Sequence, residues 1–153
     1  MRVWRLCRTR HSKEVLGGEG GLYTAGRWHR QGTRMVYTSA TLSLATLEIL
    51  VRTDRAYGPS DLVAVEIEIP DSVEIEHIPL STLPAGWRAY PAPASTQQHG
   101  TNWVTAGRTA VLEVPSAVIP LENNYLLNPA HPQFSRVRIV GRTPFSFDAR
   151  LLV

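Results

Sequence analysis

Apolar and polar positions alternate most strictly between Leu62 and Ile69, where Val63, Val65, Ile67 and Ile69 fall on one side and Glu66 and Glu68 on the other. That period of two predicts a half-buried strand. Shorter apolar runs predict further strands at Val3–Cys7, Met35–Thr38, Val73–Ile78, Ala110–Val114, Ala117–Ile119, Val137–Val140 and Phe145–Phe147. After Thr38 the period changes. Leu42, Ala45, Ile49 and Arg52 share one helical stripe, Leu44, Leu47 and Val51 widen its apolar face, and Ser39 or Thr41 is placed to cap the helix. A shorter helix is predicted over Thr96–Ala106, around Trp103. Three stretches read as connections: the Gly-rich, mobile His11–Thr24, the Pro-rich 79–94 with at most one helical turn, and the polar Glu122–Pro132. Short strands mixed with two or three helices predict an α+β fold.

A length of 153 residues predicts one domain over 1–153. With 43% apolar and 19% charged residues the chain can form a core and is not of disordered composition. No apolar run has the length of a membrane span, and MRVWRLCRTR lacks the apolar centre of a signal peptide, so the expected location is the cytoplasm. Cys7 is the single cysteine; it is expected as a small buried hydrophobe and excludes a disulfide framework. The net charge of +3 is unevenly spread. Residues 1–34 carry eight Lys/Arg against Glu14 and Glu19, whereas the remainder carries eight against eleven acids. An anionic partner near the N-terminal third follows, but no basic stripe with interleaved aromatics accompanies it, which argues against direct nucleic-acid binding.

Candidate chemistry gathers in the segment GRWHRQGTRMVYTSATLSLATLE, Gly26 to Glu48. Arg27 beside Trp28 offers a planar guanidinium for a phosphate or carboxylate, presented by a turn at Gly26. Tyr37 offers either a core aromatic or a stacking face. Glu48 is a carboxylate among helical apolar positions, where charges are rare unless paired or functional; Arg52 at i+4 is its available partner. Ser116 follows Pro115 between two apolar runs, Asn123, Asn124 and Asn128 look like turn formers, and His131 is placed as a helix cap, the commoner case, or as a site residue. The five histidines have no metal-ligand spacing, and no phosphate-binding Gly loop or nucleophile elbow is present.

Taken in order, Trp4-Arg5-Leu6, GRWHRQG, VYTSATLSLATLE, Trp103, VPSAVIPLENNYLLNPAHPQF and FSFDARL resemble the RES domain, a family of NAD-consuming toxins from bacterial toxin–antitoxin pairs. The family is named for an arginine, a glutamate and a serine, which fall here at Arg27, Glu48 and Ser116. The resemblance implies a fold similar to diphtheria-toxin-like ADP-ribosyltransferases, with a split mixed sheet and flanking helices around an NAD cleft. It implies catalytic roles for Glu48, Arg27 and Tyr37, substrate contacts from Arg27, Tyr37, Ser116, Asn124 and Asn128, and no metal. It also implies a neutralising partner, an Xre-type helix-turn-helix antitoxin, and a higher-order assembly with it. The implied reaction is hydrolysis or phosphorolysis of NAD at the nicotinamide–ribose bond. Protein ADP-ribosylation is the close alternative, and a non-catalytic nucleotide-binding module is the alternative of another class. The Gly17–Gly21 loop and the 79–94 segment match no motif of the family.

Overall fold

The computed structural model describes residues 1–54 and 58–152; Val153, the last residue of the expected domain, lies outside them. A seven-stranded mixed sheet is the frame of the molecule. In chain order its strands are β1 (Arg2–Arg8), β2 (Val36–Ser39), β3 (Leu62–Glu68), β4 (Ile75–His77), β5 (Val111–Pro115), β6 (Asn123–Leu127) and β7 (Arg138–Phe145). Across the sheet they run β4-β5-β6-β2-β1-β3-β7, with β4 and β5 parallel and every other pair antiparallel. Among the described residues three α-helices accompany them: α1 (Gly20–Tyr23), α2 (Leu42–Leu50) and α3 (Ala94–Ala106). This is a single-domain α+β fold, as the mixed order predicts.

One face of the sheet buries the inward residues of the central strands, among them Val3, Val36, Val65, Ile67, Val111 and Leu127. The strand read most firmly from alternation contributes Val63, Val65 and Ile67 to it, with Ile69 just beyond the strand. The opposite face is divided. Over β5, β6 and β2 it is covered by Trp28, Trp87 and Trp103, and over β1 and β3 by Ala45 with Leu42 and Ile49 of α2. Thr41 caps α2 by accepting the Leu44 N–H, which starts the helix where a side-chain acceptor satisfies an otherwise orphan donor. Val51 is 62% exposed, so it does not widen the apolar face.

The connections depart from expectation in four places. The loop His11–Thr24 contains α1, whose Gly21 is buried. Ala117–Ile119 is not a strand: the Ser116 hydroxyl accepts N–H bonds from Val118 and Ile119 and curls them into a turn. Glu122–Pro132 is not merely a turn region, because β6 occupies Asn123–Leu127 near the middle of the sheet. Asparagine disfavours strands through competing side-chain bonds; here those side chains are bound elsewhere, Asn123 to Glu113 and Asn124 to Glu48. Finally, Val137–Val140 and Phe145–Phe147 are not two strands: a single strand, β7, runs through Gly141 and Pro144. An edge strand tolerates both, and Gly141 sits opposite Glu66, beside the register shift.

Candidate active site

Between β1 and β2 the ladder holds one residue pair, Trp4 with Ser39, against seven between β1 and β3 and four between β2 and β6. The sheet therefore splits at this point. A cleft of about 510 Å³ opens there, lined by residues of β1 and β2, the Arg27–Trp28 turn, α2 and Asn124.

Glu48 stands in this cleft with its side chain 17% exposed. Its Oε1 accepts from Ser116 Oγ at 2.8 Å and from Asn124 Nδ2 at 2.6 Å. Both donors are themselves fixed. Ser116 Oγ accepts the Val118 and Ile119 N–H groups, and Asn124 Oδ1 accepts from Ser39 Oγ at 2.7 Å. One carboxylate oxygen is thus locked by neutral groups from β6 and from the turn that precedes it. The other, Oε2, lies 3.8 Å from Arg52 Nη2. That contact is long and Arg52 is 64% exposed, so it is worth little. The i+4 partner legible in the sequence is the weaker of the attachments.

Arg27 is aimed by backbone. Its Nη1 donates to the carbonyls of Trp87 at 2.7 Å and Ala89 at 3.1 Å. Burial lowers its pKa, the like charge of Arg52 adds to this, and Glu48 opposes it. The turn that carries Arg27 is pinned on three sides: Gly26 N–H to the His29 carbonyl at 3.0 Å, Gln97 Nε2 to the Gly26 carbonyl at 3.1 Å, and Trp28 N–H to the Tyr37 hydroxyl at 3.0 Å. No side chain fits at Gly26, where a Cβ would lie 2.5 Å from that hydroxyl and 2.6 Å from the His29 ring.

Tyr37 is among the residues lining the cleft, and its hydroxyl is spent on structure. His29 Nε2 lies 3.1 Å from the Thr24 carbonyl, which can only accept, so Nε2 carries the proton. In the neutral ring Nδ1 then accepts from the Tyr37 hydroxyl at 2.7 Å. Burial pushes the Tyr37 phenol far above its ordinary range and the His29 imidazole below its own. A histidine whose folded pKa is depressed binds fewer protons than it does unfolded. Its contribution to stability is complete above the unfolded value of about 6.5 and falls as the pH drops below it. The stability of the wild type should accordingly decline more steeply from pH 7 to pH 5 than that of His29→Gln, as read from denaturant midpoints. Tyr37→Phe, which strands the Trp28 N–H and His29 Nδ1, should cost about 1–3 kcal/mol.

The remaining expected site residues divide. Asn124 lines the cleft. Ser116 is fully buried and reaches the cleft only through Glu48. Asn128 is not brought to the cleft: at the far end of β6 its Oδ1 accepts the Ala130 N–H and its Nδ2 reaches the Val104 carbonyl, so it shapes the turn through Pro129. His131 caps the 3-10 turn Pro132–Arg136, accepting the Gln133 N–H. Sequence reasoning missed His29, Ser39 and the 87–89 carbonyls. Only His29 carried a signal, as a histidine eight positions before a strand tyrosine, and that spacing has meaning only once the turn is folded. Cys7 is buried on β1, as expected, and burial raises its thiol pKa. Among the described residues no group of three or more His, Cys, Asp or Glu is arranged to hold a metal, and no helix is long and apolar enough to cross a membrane.

A split mixed sheet with a clamped carboxylate and converging arginines defines a small α+β protein with a polar, cationic cleft. The RES domain family model matches residues 2–148, and the chain belongs to that family. It is similar to the Prs ADP-ribosylating toxin of Sphingobium sp. (strain YBL2), 35% identical over 97% of this chain and 95% of that protein. It is also similar to Toxin Res of Photorhabdus laumondii, 35% identical over 99% and 97%, and to Toxin Res of Pseudomonas putida, 37% identical over 99% of each. Among solved structures, a chain of the M. tuberculosis MbcT–MbcA toxin–antitoxin complex shares the fold, with a TM-score of 0.71 over 99% of this chain and 86% of that one at 14% identity.

Proposed function

We propose that this protein is a toxin that binds NAD in the split-sheet cleft and breaks the nicotinamide–ribose bond. The observation that carries the reading is the carboxylate of Glu48, locked through Oε1 by Ser116 and Asn124 in a cleft otherwise rich in arginine. Breaking the C1′–N bond sends the electron pair to nicotinamide, which leaves neutral, and makes an oxocarbenium-like centre at C1′. A carboxylate that cannot reorient is suited to stabilise that charge, because no reorganisation is needed as it develops. Its held oxygen leaves Oε2 for the sugar or for a ribose hydroxyl. Ser116, fully buried, acts by positioning Glu48. The Tyr37 ring offers a face to nicotinamide, and its neutral hydroxyl keeps the Arg27 turn in place. Both N–H groups of Arg27 Nη1 are engaged by carbonyls, so a bidentate phosphate contact uses the Nη2–Nε edge. The chemistry calls for no metal.

The acceptor at C1′ is water or phosphate in this reading, each giving up its proton as the new C–O bond forms. The name of the Sphingobium relative favours a second reading, in which a protein side chain is the acceptor. An antitoxin partner is part of the proposal, supported by the shared fold with a chain from a toxin–antitoxin complex; the resemblance makes it of Xre type. Incubating purified protein with NAD and following nicotinamide and ADP-ribose by chromatography tests the proposal. Free nicotinamide with ADP-ribose or its phosphate supports degradation. Label from NAD fixed on lysate protein supports transfer. Neither product, with NAD bound, would leave a non-catalytic binding module.

Arg27→Lys should raise the KM for NAD by ten-fold or more, whereas Arg30→Lys and Arg34→Lys, whose side chains do not line the cleft, should change it less than two-fold. Equal losses at all three positions would replace the clamp with a diffuse basic patch.

A further inference from the structure

The two faces of the sheet are linked at β6. Asn124 points to the cleft, where its amide holds Glu48, so its neighbours Asn123 and Tyr125 point to the opposite face. There they meet one carboxylate. Glu113 of β5 lies directly across from Tyr125 in the register, and its Oε1 accepts from Asn123 Nδ2 at 2.6 Å. On its other side His77 of β4, also directly across, donates Nδ1–H to Oε2 at 3.1 Å. The Tyr125 phenol is pushed up to about 12, by burial first and by the Glu113 carboxylate second. The Glu113 side chain is 20% exposed, and among the described residues no Lys or Arg lies within ion-pairing distance of it. A largely buried carboxylate without a cation is a costly occupant of a strand position.

Its effect falls on β6. Asn123 is the first residue of that strand and Asn124 the second. Asparagine amides compete for nearby backbone groups and favour turns. With the Asn123 amide taken by Glu113, the strand stays extended through Asn124, and alternation then aims the Asn124 amide at Glu48. We propose that Glu113 is a positioning residue for Glu48, acting from the far face of the sheet through Asn123 and Asn124. The role rests on the NAD reading above. Glu113 itself does not line the cleft and touches no nucleotide there.

The test follows nicotinamide release together with the side-chain amide resonances of Asn124, identified by their loss in Asn124→Ala. Glu113→Ala should lower kcat about ten-fold, as a displaced reacting group does, with KM for NAD within about two-fold of wild type. Glu113→Gln, whose carbonyl still accepts from Asn123, should stay within about three-fold of the wild-type kcat. In the Asn124→Ala background, Glu113→Ala should change kcat by less than about two-fold, because the route to Glu48 is already cut. The Asn124 amide should shift in Glu113→Ala and hold its place in Glu113→Gln. Losses that multiply in the double variant would overturn the proposal and leave Glu113 a general brace of the sheet. So would an unmoved amide, or a KM that rises while kcat is kept. An unchanged kcat in Glu113→Ala, with the wild type active, would sink the positioning role and leave the NAD reading standing. A wild type that releases no nicotinamide would sink that reading and the role with it. Should Glu113→Ala fail to fold, Asn123→Ala cuts the same contact from β6 and should give the same loss of kcat and the same shift; wild-type values of both would refute the assignment.

Discussion

Glu48→Gln should fold normally and release nicotinamide at least about 10²–10³-fold more slowly than wild type, the loss expected when one preorganised electrostatic contact to a developing charge is removed. The glutamine carbonyl can still accept from Ser116 and Asn124, which hold Oε1 in the native protein, so geometry is preserved and only the charge is lost. The change also gives up the 3.8 Å contact with Arg52, and this should cost under about 1 kcal/mol because Arg52 is exposed. Expression in bacteria gives an independent reading. The wild type should lower cellular NAD and arrest growth, and Glu48→Gln at a matched soluble level should do neither. Growth arrest with NAD unchanged would turn the mechanism toward protein ADP-ribosylation. Full nicotinamide release by the variant would remove Glu48 from the chemistry.

Gly100→Ala should be the most damaging small substitution away from the carboxylate. Helix α3 packs its backbone directly on the turn after Arg27, and a Cβ at Gly100 would meet the Trp28 carbonyl oxygen at 1.8 Å and its carbon at 2.9 Å. Backbone cannot swing aside as a flexible side chain does. Either α3 withdraws, uncovering Trp103, or the Gly26–Trp28 turn moves and carries Arg27 away from the carbonyls of Trp87 and Ala89. The cost should be about 3 kcal/mol, the upper part of the range for overpacking, and the thermal midpoint should fall by about 10 °C. Gly20→Ala, where a Cβ meets nothing within 4 Å, is the control and should leave the midpoint nearly unchanged. A Gly100→Ala protein as stable as wild type would mean that α3 and the turn are not held as close as the structure shows.

Much of the frame was legible in the chain because it rests on local rules. The strict alternation of Val63, Val65 and Ile67 placed β3, and the changed period after Thr38, with Thr41 as cap, placed α2. The proximity of Arg27, Tyr37 and Glu48 rested on resemblance, since each taken alone has an ordinary structural explanation. The residues that failed locally are those whose role is long-range. Asn123 and Asn124 look like turn formers, yet they lie in β6 because Glu113 and Glu48, distant in sequence, take their amides. Ala117–Ile119 is the local exception: it looks like a strand, yet the Ser116 hydroxyl two and three positions before Val118 and Ile119 curls it.

The sequence by itself determined the class of fold, the two longer helices, the buried cysteine and the set of groups able to do the chemistry, because propensity, periodicity and side-chain functionality are properties of neighbouring residues. Only the tertiary structure decided which of those groups meet. It put Ser116 behind Glu48 rather than in the cleft, kept Asn128 in a turn, gave the Tyr37 hydroxyl to His29 and Trp28, and sent Arg5 across the opening between β1 and β2 to the Tyr37 carbonyl. The placements of Ser116 and Arg5 depend on hydrogen bonds spanning 68 and 32 positions, and the cleft on how far two strands stay paired, none of which is encoded in a local window; the shorter contacts of Tyr37 and Asn128 form only once their turns are folded.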